Sequence, residues 1–287
     1  MKWLVLLLLL TVVLNVSLWL TPMLRRCAAM DFFQVRGAVA FGLYGPPGDQ
    51  GDRYWGGARR NMQLWSSVWP SNWVPVLFVP EGTNTSSLFG INGTTPRVVA
   101  VSSHVFGSYK LENTAMFYRF LAADLHDYDV FLVRDIDSRP LLRDRAAVEE
   151  FVSSTYCFHS LHDHPYHSVA LLGGMWGAKR GTFARPMADM ISRYFLHYPP
   201  HAPKGIDQDF LYRVVFQQVR WRTLDHSSVG KWCTWWPLLF LGSRRPFPTG
   251  RRLMDEFVGS ACMTGATDSC SVESLPAFVY NECGLIS

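Results

Sequence analysis

The stretch Tyr128–Pro140, YDVFLVRDIDSRP, constrains the fold more than any other. Val130-Phe131-Leu132-Val133 is a short, unbroken apolar run that stops at once in Arg134-Asp135-Ile136-Asp137, and Pro140 closes the extended segment. An apolar run without alternation is the pattern of a strand buried on both faces of a parallel sheet. In an extended chain residues i and i+2 share a side, so Asp135 and Asp137 are expected to converge while Ile136 turns back to the core. Open α/β sheets bind their ligands at the carboxyl ends of strands, which is where this acidic pair falls. Hard oxygen ligands there suit Mg²⁺ or Mn²⁺, and such an ion suits a diphosphate. An isolated D-x-D is often just a solvated acidic turn. The strand before it, the flanking Arg134 and Arg139, and the motifs downstream weigh against that here.

At 287 residues the chain holds one substantial domain, or one large domain with an appendage. Hydrophobic content of 48% and charged content of 17% describe a packed globular protein. A net charge of +4 without a lysine run gives no support to nucleic-acid binding, and it is compatible with anionic ligands. Eleven tryptophans are many for this length; some must be core, and an excess of flat rings also suits a site that packs sugar faces.

Trp3–Leu20, WLVLLLLLTVVLNVSLWL, is apolar, uncharged and just long enough to cross a bilayer. A cleaved signal peptide would have a shorter apolar region with small residues close behind, whereas Cys27-Ala28-Ala29 lies beyond Arg25-Arg26. The expectation is therefore an uncleaved signal anchor over 1–24 and a short stem over 25–36. A main domain over 37–260 and a cysteine-containing tail over 261–287 follow. Asn84-Thr85-Ser86 and Asn92-Gly93-Thr94 are glycosylation sequons. Cys233, Cys262, Cys270 and Cys283 crowd the last quarter, as disulfides do in an oxidising compartment. Together these place the chain as a single-pass type II membrane protein of the Golgi or ER, with its main domain in the lumen.

Along the chain, Ala38–Tyr44 reads as a first strand that exits into Gly45-Pro46-Pro47-Gly48, neither a dinucleotide fingerprint nor a P-loop. Tyr54–Trp69 reads as a helix ended by Pro70, Val74–Val79 as a second strand and Arg97–Val101 as a third. Leu111–His126 carries a helical apolar stripe with Arg119 at its edge, a guanidinium able to reach across the next strand end toward a diphosphate or a base. Asp144–Ser153 and Arg185–Tyr198 are further helices, and Val219–Leu224 a strand. His159, His162, His164 and His167 invite a zinc reading, but their spacing around Pro165 puts them on no common face and no C-x-x-C is present. In Leu171–Gly177, LLGGMWG, Gly173 and Gly174 let backbone approach a ligand and Trp176 offers a flat wall. Asp207 and Asp209, at a helix start in GIDQDFL, are candidates for a base or a hydroxyl-binding group, or simply for a helix cap. His226, at the exit of the next strand, is a candidate third metal ligand. From Lys231 onward, periodicity is weak and the chain reads as a wrap around the main domain.

The ordered set RDIDSRP, DHPYHSVALLGGMWG, GIDQDFL, DHS, RPFPTGRR and EFVG resembles a group of glycosyltransferases with the GT-A nucleotide-diphosphosugar transferase fold. The resemblance runs from about Val39 to Gly259. It implies a single Rossmann-like α/β domain with a mostly parallel sheet, behind the N-terminal transmembrane helix. It also implies a nucleotide-sugar donor near Arg119, Arg134, Asp135 and Arg139, and Mn²⁺ or Mg²⁺ at Asp135 and Asp137, with His226 as the further candidate. A glycan or glycoconjugate acceptor would lodge near Gly173, Gly174, Trp176 and Asp207. Two rival readings share these residues. One is a phosphohydrolase with Asp135 as nucleophile and Asp137 as acid/base; the other is a membrane-anchored sugar-binding protein without activity.

Overall fold

The structure is a computed structural model that describes residues 26–45, 53–107, 109, 114–164, 167, 169–200, 205–228, 242–251, 257–263 and 269–270. The expected anchor over 1–24 lies outside the described residues, as do Cys233, Cys283 and most of the tail. No helix among the described residues is long and apolar enough to cross a membrane.

Eight strands form one sheet: β1 Gly37–Gly42, β2 Trp73–Pro80, β3 Arg97–Val101, β4 Val130–Arg134, β5 Phe158–His162, β6 Met175–Lys179, β7 Thr223–Ser227 and β8 Ser243–Arg245. Their order is β3-β2-β1-β4-β6-β5-β7-β8. All neighbours are parallel except β6, which runs against both β4 and β5. A separate pair, β9 Cys262–Met263 and β10 Ser269–Cys270, is antiparallel. The helices are α1 Arg53–Val68, α2 Leu142–Ser153, α3 Met187–His197 and α4 Ile206–Phe210; a π-helical turn, Leu211–Phe216, joins α4 to α5 Gln217–Val219.

The uniformly apolar strands are apolar because both of their faces are covered. Ala38, Ala40, Val76, Phe78, Phe131 and Val133 pack on one side, with the 3-10 helix Ala115–Asp124, α3 and the π turn. The alternate residues Val39, Phe41, Leu77, Val79, Val130 and Leu132 pack on the other, with α1 and α2. Each large side chain enclosed this way contributes roughly 1.5–3 kcal/mol, and the two cores lock the central strands in register. Residues 26–36 lie along the second core. Phe32 and Val35 are buried there, and Asn72 Nδ2 donates to both of their carbonyls at 2.8 and 2.7 Å. A Cys27–Cys157 disulfide ties the same segment to the start of β5. At the other end of the chain, Cys262 is disulfide-bonded and its N–H donates to Asp137 O at 2.8 Å, so this segment buttresses the loop after β4.

Three expectations differ from the fold. The amphipathic segment around Tyr118 is wound as a 3-10 helix, Ala115–Asp124. The strand expected over Val219–Leu224 begins only at Thr223, because Gln217–Val219 still belongs to the preceding helix. Finally, β5 (FHSLH) and β6 (MWGAK) carry polar residues and a glycine that hide their strand character. They are nevertheless buried strands, because Ser160, His162 and Lys179 find partners inside the sheet layers.

Candidate active site

The strand order reverses between β1 and β4: β2 and β3 lie to one side, and all later strands to the other. Ligands of open α/β sheets bind at such a switch point, outside the carboxyl ends of the strands. Here that edge receives Tyr44 after β1 and Asp135–Ser138 after β4. Because β6 runs antiparallel, with Met175 opposite Arg134, the residues before it arrive at the same edge. Those residues are Gly173 and Gly174.

Alternation along β4 aims Asp135 at the layer that holds the 3-10 helix. There Arg119 bridges two carboxylates, through Nη1 to Asp135 Oδ1 and through Nη2 to Asp207 Oδ2 at 3.2 Å. Asp207 comes from the first turn of α4, which starts after Gly205 at φ +84°, a left-handed conformation suited to glycine. The two glycines are required by close approach. A Cβ on Gly174 would stand 2.1 Å from Asp135 Oδ2, and one on Gly173 would stand 2.6 Å from Asp207 Oδ2 and 2.7 Å from Arg119 Nη2. Burial would lower the Arg119 guanidinium, but Asp135 and then Asp207 outweigh it and raise it. Burial pushes the Asp207 carboxyl up; Arg119 opposes this and Asp135 adds to it. The half-exposed Tyr44 phenol faces the same charges, raised by burial and drawn down by Arg119.

Asp137 is reached differently. The strand ends at Arg134 and the chain turns, with Ser138 N–H donating to Asp135 O at 3.1 Å, so the pair does not sit on an extended backbone. Ile136 is buried in the core as expected. Asp137 Oδ2 accepts from Arg53 Nε at 2.6 Å and Nη2 at 2.5 Å. Helix α1 fixes this loop by contact: Asn61 Nδ2 donates to Ile136 O at 3.0 Å, and a Cβ on Gly57 would lie 2.7 Å from the same carbonyl. Burial raises the Asp137 carboxyl and the charge of Asp135 raises it further, against Arg53. The two carboxylates therefore sense one another although arginines from opposite layers hold them.

The structure thus gathers Arg119, Asp135, Asp137, Gly173, Gly174 and Asp207, and sends other candidates elsewhere. Trp176 is no sugar platform. It is fully buried, stacked on Phe158 at 5.4 Å and edge-on to Phe120 and Phe131, because strand alternation turns it into the core. Arg134 is not a donor-binding cation. It points to the opposite layer in a buried two-bond pair with Asp144, and also donates to the carbonyls of Val133 and Trp176. Asp209 faces away from Asp207, accepting from Tyr194 Oη at 2.6 Å and pairing with Arg213. His226 lies beyond β6 and β5, its Nδ1 2.8 Å from His159 Nε2 and its Nε2 3.1 Å from Glu150, so it is no ligand to an ion at Asp135 and Asp137. Arg139 Nη1 donates to Asp137 O at 3.2 Å and braces the loop. Among the described residues, no group of three or more His, Cys, Asp or Glu could hold a metal, which also removes the histidine-cluster reading. Sequence reasoning missed Tyr44, Arg53 and Asn61. One signal was available: paired glycines inside an otherwise regular helix, Gly56-Gly57, mark close backbone approach.

No family model matches the chain, and no curated protein matches it. Several solved structures are similar to it, three of which are as follows. A glycosyltransferase involved in glycosylation of the major capsid of PBCV-1 is 13% identical, over 68% of this chain and 82% of that one, at TM-score 0.39. Glucosyl-3-phosphoglycerate synthase from Mycobacterium tuberculosis, in complex with Mn²⁺ and UDP-glucose, is 13% identical over 69% and 82%, at TM-score 0.33. Mouse xyloside xylosyltransferase 1 is 11% identical over 74% and 94%, at TM-score 0.37. Likeness of this depth carries no functional weight, so function is argued from the site.

Proposed function

We propose that the chain is a glycosyltransferase with a GT-A-like domain. It would move a sugar from a nucleoside-diphosphate donor to a hydroxyl of a glycan or glycoconjugate. The observation that carries this reading is the meeting of Asp135 and Asp207 on Arg119 over the backbone of Gly173-Gly174, with Asp137 in the same loop after β4, at the switch point of the sheet. Mn²⁺ or Mg²⁺ fits the donor set. Asp135 and Asp137 are two hard carboxylates close enough for one charge to act on the other, and no third ligand stands with them among the described residues; these ions bind in that way when water and phosphate oxygens fill the other positions. When bound, the ion would neutralise the charge that develops on the leaving diphosphate. Arg119 holds Asp135 and Asp207 at a fixed separation, and its fork also suits phosphate oxygens. Asp207, raised by burial but kept beside a guanidinium, is placed to take the proton of the acceptor hydroxyl. Gly173 and Gly174 let Asp135, Asp207 and Arg119 close directly over the main chain. Asp135 shares its carboxylate with Arg119 and follows three earlier strands, which weighs against a phosphohydrolase nucleophile.

The same reading sets the domain in the lumen of the ER or Golgi, behind a type II anchor over 1–24. The Cys27–Cys157 disulfide and the exposed sequon residues Asn84 and Asn92 support an oxidising, glycosylating compartment. Calorimetry with a panel of nucleotide sugars, with and without Mn²⁺, tests the proposal. Binding that needs both nucleotide and metal, and is lost in Asp137→Ala, is expected; sugar binding without nucleotide would replace it with the non-catalytic reading.

A further inference from the structure

Each carboxylate at the exit of β4 is held by its own arginine, and the two arginines differ in kind. Arg119 is enclosed, with its side chain 13% exposed, and it spans Asp135 and Asp207. Arg53 is 36% exposed and directs Nε and Nη2 to a single oxygen, Asp137 Oδ2. It also opens α1, where the positive end of the helix dipole disfavours a cation. Asp137, not the helix, therefore sets its place, and burial of the guanidinium is outweighed by the Asp137 charge. While the pair is closed, Oδ2 has both lone pairs occupied and an ion could reach Asp137 through Oδ1 alone, so two-oxygen binding requires Arg53 to let go. A divalent ion is the stronger partner for a carboxylate, and a guanidinium within 3 Å of that oxygen would then face a like charge.

We propose that Arg53 is an exchangeable cation at Asp137. It holds the carboxylate until a divalent ion arrives, yields it to the ion, and then turns to the diphosphate of the donor. The exchange makes and breaks no covalent bond. It leaves an excess of positive charge at the strand exit, which an anionic diphosphate neutralises through the forked donors of the guanidinium. This inference rests on the metal-dependent transferase reading above and adds to it a positioning residue that orders the two binding events.

The test uses the full chain, its R53Q variant and R53K. Mn²⁺ alone is titrated while free ion is followed by electron paramagnetic resonance, and UDP is then titrated calorimetrically at saturating Mn²⁺. A melting curve checks each variant for folding. Arg53→Gln is expected to bind Mn²⁺ at least tenfold more tightly than wild type, yet to bind UDP at least tenfold more weakly. Arg53→Lys should move both values back toward wild type. Loss of a fixed positive charge would by itself favour Mn²⁺ and disfavour UDP, so UDP is also titrated without Mn²⁺. Arg53 is then still on Asp137, the exchange expects Arg53→Gln to leave that affinity unmoved, and an equal loss there overturns it. Wild-type Mn²⁺ binding left unmoved in Arg53→Gln overturns the exchange alone, and UDP affinity left unmoved overturns the turn toward the diphosphate. If neither protein binds Mn²⁺, the metal-dependent reading falls and takes the exchange with it.

Discussion

At the scale of single residues, the carboxylates separate into those with a task at the site and those with structural partners. Asp207 meets Arg119 and the Gly173 backbone, while Asp209, two residues on, is committed to Tyr194 and Arg213. Asp207→Asn keeps size and helix-capping ability but takes no proton. It should lower turnover by about 10²–10⁴-fold with donor affinity nearly unchanged, the range of a single general base. A near-normal rate would reduce Asp207 to a cap. Trp176→Ala should act on stability instead, destabilising by about 3–5 kcal/mol as deletion of a large core aromatic does; a denaturant melt reads this directly. The acidic residues of the site were legible because their types imply chemistry and the strand before them was plain. Trp176 was not, since a tryptophan between glycines reads equally as a wall or a core residue until strand alternation decides. Arg53 carried no motif at all and becomes visible only when α1 is docked on the loop after β4.

Among elements, close approach of backbone to the site distinguishes two glycines that look alike in sequence. A Cβ on Gly174 would overlap the Asp135 carboxylate, which can move aside only by leaving the enclosed Arg119. A Cβ on Gly57 would press on the carbonyl of Ile136, which the chain holds in place. Gly174→Ala is therefore expected to weaken Mn²⁺ binding at least tenfold, because Asp135 is displaced, and to lower the melting temperature because the Asp135–Arg119 pair is broken. Gly57→Ala should lower the melting temperature, as overpacking against fixed atoms typically destabilises by about 1–3 kcal/mol. If both variants melt alike and bind Mn²⁺ alike, the glycines are not shaping the site. The strands β1 to β4 could be read from their apolar runs. Strands β5 and β6 could not, because His159, Ser160, His162 and Lys179 are polar groups whose side chains bond neighbours far along the chain.

For the whole molecule, the segment just after Arg25 is fastened to the domain by a disulfide and by a buried cation. The Cys27–Cys157 bridge spans 130 residues, and its reduction is expected to remove about 2–5 kcal/mol of stability. Beside it, Lys179 of β6 is enclosed and its Nζ donates to Ala28 O at 2.8 Å, Val152 O at 2.9 Å and Ser154 O at 2.6 Å. One ammonium thus joins three parts of the chain: the N-terminal segment, the end of α2 and the sheet. It also meets the negative end of the α2 dipole. Burial lowers this ammonium from its ordinary 10.5 to about 8. Between those two values the unfolded chain still binds the proton that the folded protein has released, so the contribution of Lys179 to stability increases as pH rises. For one proton the increase is at most about 1.4 kcal/mol per pH unit. Lys179→Met fills the space but abandons the carbonyls, and unsatisfied buried acceptors cost about 1–3 kcal/mol each. Wild type should therefore be the more stable protein at pH 7, and its lead over the variant should widen from pH 8 to pH 10. Denaturant midpoints taken across that interval check this. A lead that stays constant would mean that the Lys179 proton has the same affinity in both states, and a lead that shrinks would mean that the charged form is the one the fold prefers.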